Sequence, residues 1–572
     1  MRVQNKICFM YCFIGVFCGC WTTQPSVIPL KKAQEDIPVL FEMEEIDVSS
    51  EDSNQEGQTT NDDEMYQQAQ LHVFVRSGYA HDPIGKEGLS QITTDMLRDG
   101  GKVYEEKKWK NRLQNLGVEE IETYVGPEIV QFTISSSLQD LHLAASVFEQ
   151  MFEGNWREES LQKAKEKQRQ QIDISYQLQQ NQEHVLGRFI FYNWIFEGHP
   201  YGHLPSGRFG SIEQITLDDV QSFFQQRFIR ERSRIGVSIA TPNPKQQNQE
   251  EWKEHIEKRE EIAEFQNTLS HLFTPTVYKN VTPRRLQQNS MLPSLVAINI
   301  EQMVSPSFES RLYMGQSVDI SPQDKDFLAM LLAIYIVNDA PKISGNTALL
   351  NQNMDVSGNI VFGIHPNYMG KNTLETLKFD SLQQGIVWML PLHNTQVQTE
   401  YIESQIKNWE TLISIGVSKE EFLVYRSQLA EHLNHASVHT KLQWRMQLDI
   451  LDIDVSLEQM IHHIQNLQYD EVNAAIERHI STKNMRAMIL TASHQEKEIL
   501  QADTMEDNTN QQEKEDLVTN KNIDVDLNNA DESSLTKTNR IDSSETKTDD
   551  TAFSFDPTKI LYRSRNIEGV FQ

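Results

Sequence analysis

Three histidines and a glutamate that could in principle donate to a metal lie within one helical stretch of this 572-residue sequence. His432, His435 and His439 fall at i, i+3 and i+7 beside Glu431, a spacing that puts all of them on one face of a continuous helix. Imidazole nitrogens with a carboxylate oxygen are the donor set of zinc and its neighbours. A surface or packing stripe explains the same spacing and is the expectation here. His462 and His463 are adjacent, so on a helix they point in different directions, and a structural role is expected. His199 and His203 flank a Pro200-Tyr201 turn. No phosphate-cradling glycine loop, dinucleotide fingerprint or G-x-S-x-G elbow occurs.

Cysteine chemistry is confined to the N-terminus. Cys8, Cys12, Cys18 and Cys20 are the four cysteines, so the rest of the chain has no thiol nucleophile, disulfide framework or Cys-based zinc site. Arg2 and Lys6 precede an apolar run from Ile7 to Phe17, followed by Phe17-Cys18-Gly19-Cys20. This pattern reads as an export signal, and its end resembles a bacterial lipobox, with Cys20 the expected lipidated residue and Gly19 the small residue before it. Multiple acyl chains on Cys20 would supply stable membrane attachment. Trp21 stands where an Asp would signal retention at the inner membrane, so an outer-membrane anchor facing the periplasm is expected.

Charge excludes other classes. The chain holds 52 Lys plus Arg against 82 Asp plus Glu, a net charge of −30, which disfavours a nucleic-acid partner because phosphate contacts need clustered positive charge. Much of the acidity lies in Glu42–Glu64 and Ala502–Asp550, two segments too polar to offset the entropy of ordering. They are expected to be solvated and unstructured.

Between them runs an internal repeat. At a constant offset of 252, Ile215–Phe224 aligns with Leu467–Ile476. Asp218 meets Asp470, Val220 meets Val472, Arg234 meets Arg486 and Val237 meets Ile489. Each copy reads as an acidic first turn, an amphipathic helix and an alternating strand (Ile235–Ala240, Ala487–Thr491). Leu71–Gly78 and Leu312–Ile320 form an earlier pair, each a strand followed by a helix near Gly88 or Lys325. The expected class is α+β, with two tandem homologous domains, each a mostly antiparallel sheet packed by helices. The expected organisation is a signal peptide (1–20), a linker (21–38), domain one (39–272, with an acidic insert near 42–66) and an interdomain linker (273–291). Domain two (292–500), an acidic segment (501–554) and a C-terminal segment (555–572) follow.

The stretch Phe74–Gly101, with Ser77-Gly78, Pro83-Ile-Gly85 and Gly88-Leu89, resembles the opening of the pitrilysin/insulinase family of zinc peptidases. Gly198-His-Pro-Tyr-Gly202 and the tandem duplication are similar to that family as well. The resemblance covers roughly Val39 to Ala492 and favours the two-domain, processing-peptidase-like branch. It implies that the chain forms one half of a clam shell. In that family one helix carries H-x-x-E-H, two zinc ligands and a general base, with a distal Glu ligand further on. The matching positions here are Gln91, Thr94, Asp95 and Gln171, with Glu166 and Asp173 nearby but out of register. A Gln and one Asp would not hold zinc, and Thr94 cannot take a proton from a bound water. The family's substrate-holding Arg and Tyr are likewise missing from the counterpart segment, Ala348–Gly358. The resemblance therefore implies a pseudoenzyme with no metal and no cofactor. Its partner would be a catalytic homologue carrying H-x-x-E-H, or alternatively it would bind a peptide ligand as a lipoprotein scaffold.

Overall fold

A computed structural model describes residues 36–46, 68–100, 106–153, 156–177, 183–242, 260–273, 299–305, 310–339, 359–363, 377–392, 398–492 and 561–566. The export signal with Cys20, the segment Ala348–Gly358 and the acidic stretches 47–66 and 501–554 lie outside the described residues.

Two sheets carry the architecture. The first contains β1 (Val39–Ile46), β2 (Gln68–Val75), β3 (Glu122–Val125), β4 (Val130–Ser137) and β5 (Ser233–Pro242), in the order β1-β5-β2-β4-β3. The second contains β6 (Asn299–Ser305), β7 (Ser310–Val318), β8 (Asn359–Phe362), β9 (Gln384–Leu392), β10 (Arg486–Ala492) and β11 (Leu561–Asn566), in the order β11-β6-β10-β7-β9-β8. Exchanging β1–β5 for β6–β10 reproduces the same order. Register agrees with the repeat: Leu71 lies opposite Val237 in the first sheet, and Leu312 lies opposite Ile489 in the second. In both sheets the pairings are antiparallel except at the β1–β5, β6–β10 and β6–β11 edges.

The helices of the first half are α1 (Leu89–Arg98), α2 (Glu106–Asn115), α3 (Leu141–Phe152), α4 (Glu158–Gln177), α5 (Glu183–Ile195), α6 (Phe209–Gln214), α7 (Leu217–Arg227) and α8 (Glu260–Leu272). Those of the second are α9 (Phe327–Asp339), α10 (Gln398–Ile415), α11 (Lys419–Asn434), α12 (Val438–Ile450), α13 (Leu457–Asn466) and α14 (Tyr469–His479). The repeated helices α7 and α14 start at capping boxes, in which Asp219 and Glu471 accept the backbone N–H groups of Thr216 and Gln468. That is the physical content of the acidic first turns in the sequence.

Each sheet has two apolar faces to cover. In the first half α3 and α8 close one face, with Phe148 stacked on Phe265 at 6.0 Å and Phe152 edge-on to Phe273 at 5.0 Å. The opposite face receives α12, which comes from the second half and packs on β5, β1 and β2. In return α5 of the first half packs on β7, β9 and β10, and the aromatic run Phe189–Phe196 supplies its buried side chains Phe191, Tyr192 and Phe196. Both crossings pass closely over a glycine. A Cβ on Gly236 would lie 2.2 Å from Met446 Sδ, and one on Gly187 would lie 2.1 Å from the Tyr313 hydroxyl.

Three expectations change. The acidic stretch taken as unstructured from Glu42 begins inside β1, because residues 39–46 pair in parallel with β5 and Val39 and Phe41 pack on the core. The C-terminal segment, to which no element was assigned, supplies β11, which joins the second sheet. The three histidines do not share a helix face: α11 stops at Asn434, His435 is its C-cap, and Ser437 caps a new helix by accepting from Thr440 N at 3.2 Å. His439 instead meets Ser238 Oγ at 2.7 Å, and that hydroxyl lies 3.3 Å from His72 Nε2. His72 Nδ1 in turn sits 2.9 Å from Thr133 Oγ1, so a His–Ser–His chain links the first sheet to α12.

His72 is fully buried, and burial first, then the neighbouring His439, lowers its pKa to about 3. A histidine held neutral in the folded state binds fewer protons than in the unfolded chain, so its contribution is complete above pH 6.5 and lost as the pH falls towards 3. Stability should therefore drop on acidification below pH 6.5, this histidine contributing ~1.4 kcal/mol per pH unit. In urea melts at stepped pH, His72→Gln should flatten that part of the profile; an unchanged slope would show that His72 does not titrate on unfolding.

Candidate functional site

The family-aligned positions sit on α1, whose start is built by the loop before it. Asp82 accepts Gly88 N at 2.7 Å and Ser90 N at 2.8 Å, covering open N–H groups of the first turn. Gly88 adopts φ +100°, and a Cβ there would lie 2.9 Å from both Gln168 Nε2 and Ser206 O. Left-handed backbone and close approach both require glycine. Ser90 Oγ donates to Ser77 O at 2.7 Å, tying α1 back to the end of β2. These Ser-Gly and Gly-x-x-Gly features therefore serve the local fold.

Gln91 is half-buried, and Thr94 and Asp95 are buried. Thr94 Oγ1 donates to Ser90 O at 2.8 Å, a back-bond within the helix. Asp95 Oδ1 meets Arg98 Nη2 at 2.7 Å, and Gln91 Nε2 donates to Asp95 Oδ2 at 3.2 Å. Arg98 also pairs with Asp99 and reaches Thr123 Oγ1 on β3, while Lys167 of α4 lies 3.5 Å from Asp99. Burial pushes the Asp95 carboxyl up, and Arg98 and Lys167 pull it back. A guanidinium thus stands against the one carboxylate on this face.

The distal position is less well defined. Gln171 lies on the exposed side of α4, whereas Gln168, one turn earlier, is fully buried and donates to Ser206 O at 2.5 Å. Glu166 is exposed and paired with Arg169 at 3.2 Å; the side chain of Asp173 lies outside those described. These residues do not fit zinc. The donor set offers one carboxylate, already neutralised by Arg98, plus two amides and a hydroxyl committed to a backbone carbonyl. Among the described residues no group of three or more His, Cys, Asp or Glu could hold a metal ion.

A second buried polar group lies behind α1. Tyr201, from the Gly-His-Pro-Tyr-Gly turn, donates to Glu128 Oε1 at 2.9 Å and accepts Leu382 N of the second half at 3.0 Å. His81 Nε2 lies 3.2 Å and Arg76 Nε 3.9 Å from Glu128 Oε2. Burial opposes ionisation of Glu128, but His81, Arg76 and Tyr201 outweigh it and hold the pKa at about 2. Burial lowers the pKa of His81 despite the opposing pull of Glu128. His199 is buried beside Tyr201, with its pKa lowered to about 4 by burial. His203 Nδ1 meets Leu204 O at 3.0 Å, and its ring lies edge-on to Tyr79. His462 is exposed and bonded to Asn466. Sequence reasoning missed Asp82, Arg98 and Glu128. Only Arg98 left a sign there, the opposite charge three residues after Asp95.

The sequence matches no protein-family model and no curated protein. Its fold is nevertheless known. The inactive domain of an M16 peptidase from Pseudomonas fluorescens superimposes with a TM-score of 0.59 at 14% identity, over 81% of this chain and 98% of that one. A chain of complex III from Candida albicans matches with a TM-score of 0.53 at 11% identity, over 79% and 93%. The periplasmic protease PqqL from Escherichia coli matches with a TM-score of 0.52 at 10% identity, over 74% of this chain and 45% of that one. The chain therefore has the two-domain α+β fold of M16 peptidase-like proteins, including an inactive one.

Gly88→Val should destabilise the protein by about 2–4 kcal/mol in denaturant melts, because both its φ and its contacts exclude a side chain. Gln171→Ala, on an exposed helix surface, should stay within about 0.5 kcal/mol. Equal effects would contradict this account of which residues the fold retains.

Proposed function

We propose that this chain is a non-catalytic member of the pitrilysin/insulinase family, acting as the inactive partner of a catalytic homologue that carries H-x-x-E-H. The observation that carries this reading is the α1 face, where Gln91, Thr94 and the Asp95–Arg98 pair take the places of two ligands and a general base. The scaffold around them keeps its caps and its left-handed glycine. Two of the structural relatives support the rest: one is named an inactive domain, and PqqL has about twice the length this chain covers. A half-length inactive chain fits one shell of a two-shell peptidase. Export with lipidation at Cys20 would place it in the bacterial envelope, facing the periplasm. No helix among the described residues is long and apolar enough to cross a membrane.

A second reading has its own support. β3 ends the first sheet, next to α1, and among the described residues its outer side pairs with no strand. An extended peptide could add there, which suits a peptide-binding lipoprotein with no protease partner.

Pull-down of the tagged protein from its own cells separates the two: the first reading expects a stoichiometric H-x-x-E-H chain, and the second expects none. Cys20→Ser should abolish acyl labelling and leave the protein unprocessed or soluble. Purified alone, the chain should bind less than a tenth of an equivalent of zinc and cleave no unstructured peptide. One tightly held zinc with chelator-sensitive cleavage would falsify the pseudoenzyme reading.

A further inference from the structure

Three arginines gather where α7 turns into β5. Arg227 stands in the last turn of α7, which Phe228 ends, and the short 3-10 turn Arg230–Arg232 leads into β5. Arg76 follows β2, whose last residue, Val75, pairs with Ser233, and Arg76 N donates to Arg232 O at 2.8 Å. Chain path and sheet register thus bring positions 76, 227 and 232 to one end of the first sheet. The acids nearby are committed elsewhere. Glu128 Oε1 takes the Tyr201 hydroxyl, and its Oε2 faces His81 at 3.2 Å and Arg76 at 3.9 Å. Asp82 gives its two oxygens to Gly88 N and Ser90 N. Arg76 has a further partner in Asp452, 3.3 Å away.

Arg227 and Arg232 are left differently. Both are half-buried, Arg227 Nη1 is buried without a hydrogen-bond partner, and among the described residues neither side chain enters an ion pair. Burial first, then Arg232 and Arg76, push the Arg227 guanidinium down to about 10 against the pull of Glu128 and Asp82. Burial and Arg76 likewise lower Arg232, although Glu231 beside it offsets part of the repulsion. A helix C-terminus favours a cation, but it does not supply the paired oxygens that a desolvated guanidinium fork fits.

We propose that Arg227 and Arg232, with Arg76 at the rim, form a binding site for a small oxyanion of the phosphate or carboxylate class. The proposal is independent of the pseudoenzyme reading and of any protein partner. The rim is open to solvent, since the Arg76 side chain is 23% exposed. A bound oxyanion would relieve the repulsion among the three guanidiniums and give Arg227 Nη1 its acceptor. It would also bridge the end of α7 to the end of β2, where Arg76 reaches Asp452 of the second half, so occupancy should stabilise the folded chain.

The test melts the full chain in chloride, phosphate and acetate at matched ionic strength, and measures phosphate and acetate binding by calorimetry. A saturable rise in Tm with phosphate or acetate, absent with chloride, is expected. A response to phosphate alone would assign a phosphoryl ligand, and a response to acetate would assign a carboxylate. Arg227→Gln and Arg232→Gln should each weaken binding by about tenfold or more. In chloride both should melt no lower than the parent, because each removes a charge that repels its neighbours. Arg169→Gln, whose arginine already pairs with Glu166 and Glu213, should keep the parent's affinity. No saturable response in the parent, or an undiminished one in Arg227→Gln and Arg232→Gln, would overturn the proposal. So would a large loss of stability in chloride in both variants, which would make the two guanidiniums parts of the fold rather than a vacant site.

Discussion

The structure depends on an exchange. A twisted sheet exposes an apolar face on each side, and among the described residues neither half covers both faces with its own helices. α12 leaves the second half to lie on β5, β1 and β2, while α5 leaves the first to lie on β7, β9 and β10. At each crossing a glycine lets helix and sheet approach, Gly236 beneath Met446 and Gly187 against Tyr313. The repeated arginines close the same joint from both sides. Arg234 pairs with Asp449 of α12, and Arg486, its counterpart at the start of β10, donates to the Trp194 carbonyl of α5 and lies over that indole ring. Among the described residues each half's core is completed by a helix of the other, so the two are expected to fold as one cooperative unit.

That dependence explains what the sequence showed and what it concealed. The offset of 252 was legible because α7–β5 and α14–β10 meet the same demands: an acidic cap, one buried helix face and a central strand. The strand order then follows from the duplicated register. The His432–His439 stripe misled because periodicity alone cannot see a break, and the capping signal at Ser437 outweighed it. β1 and β11 were hidden for another reason. Edge strands held by main-chain pairing need little apolar alternation, so an acidic or basic composition does not reveal them.

The candidate site was half legible. Positions 91, 94 and 95 could be placed on one helix turn from the flanking glycines, but nothing in the sequence told how their polarity is satisfied once buried. The answer lies mostly in local pairs, Gln91 and Arg98 on Asp95 and Thr94 on Ser90 O. The distal position was harder to place, since α4 offers Gln168 and Gln171 one turn apart and buries only the first.

A zinc site is costly to a fold when the metal is absent. It gathers carboxylates and imidazoles that repel one another, or leaves them short of partners, until a divalent charge arrives. Here the positive charge is built in: Arg98 sits covalently fixed one turn from Asp95, so the face is neutralised without any ligand. The surrounding requirements do not depend on that pair. Asp82 still has to cap α1, Gly88 still has to pass Gln168 and Ser206, and Tyr201 still has to bridge Glu128 to Leu382 across the joint. On the proposed pseudoenzyme reading, positions 91, 94 and 95 are free to depart from the family motif, whereas Asp82, Gly88 and Tyr201 are held by the joint. The same helix can therefore look like an active site in its flanks and unlike one at its centre, which is the pattern this chain shows.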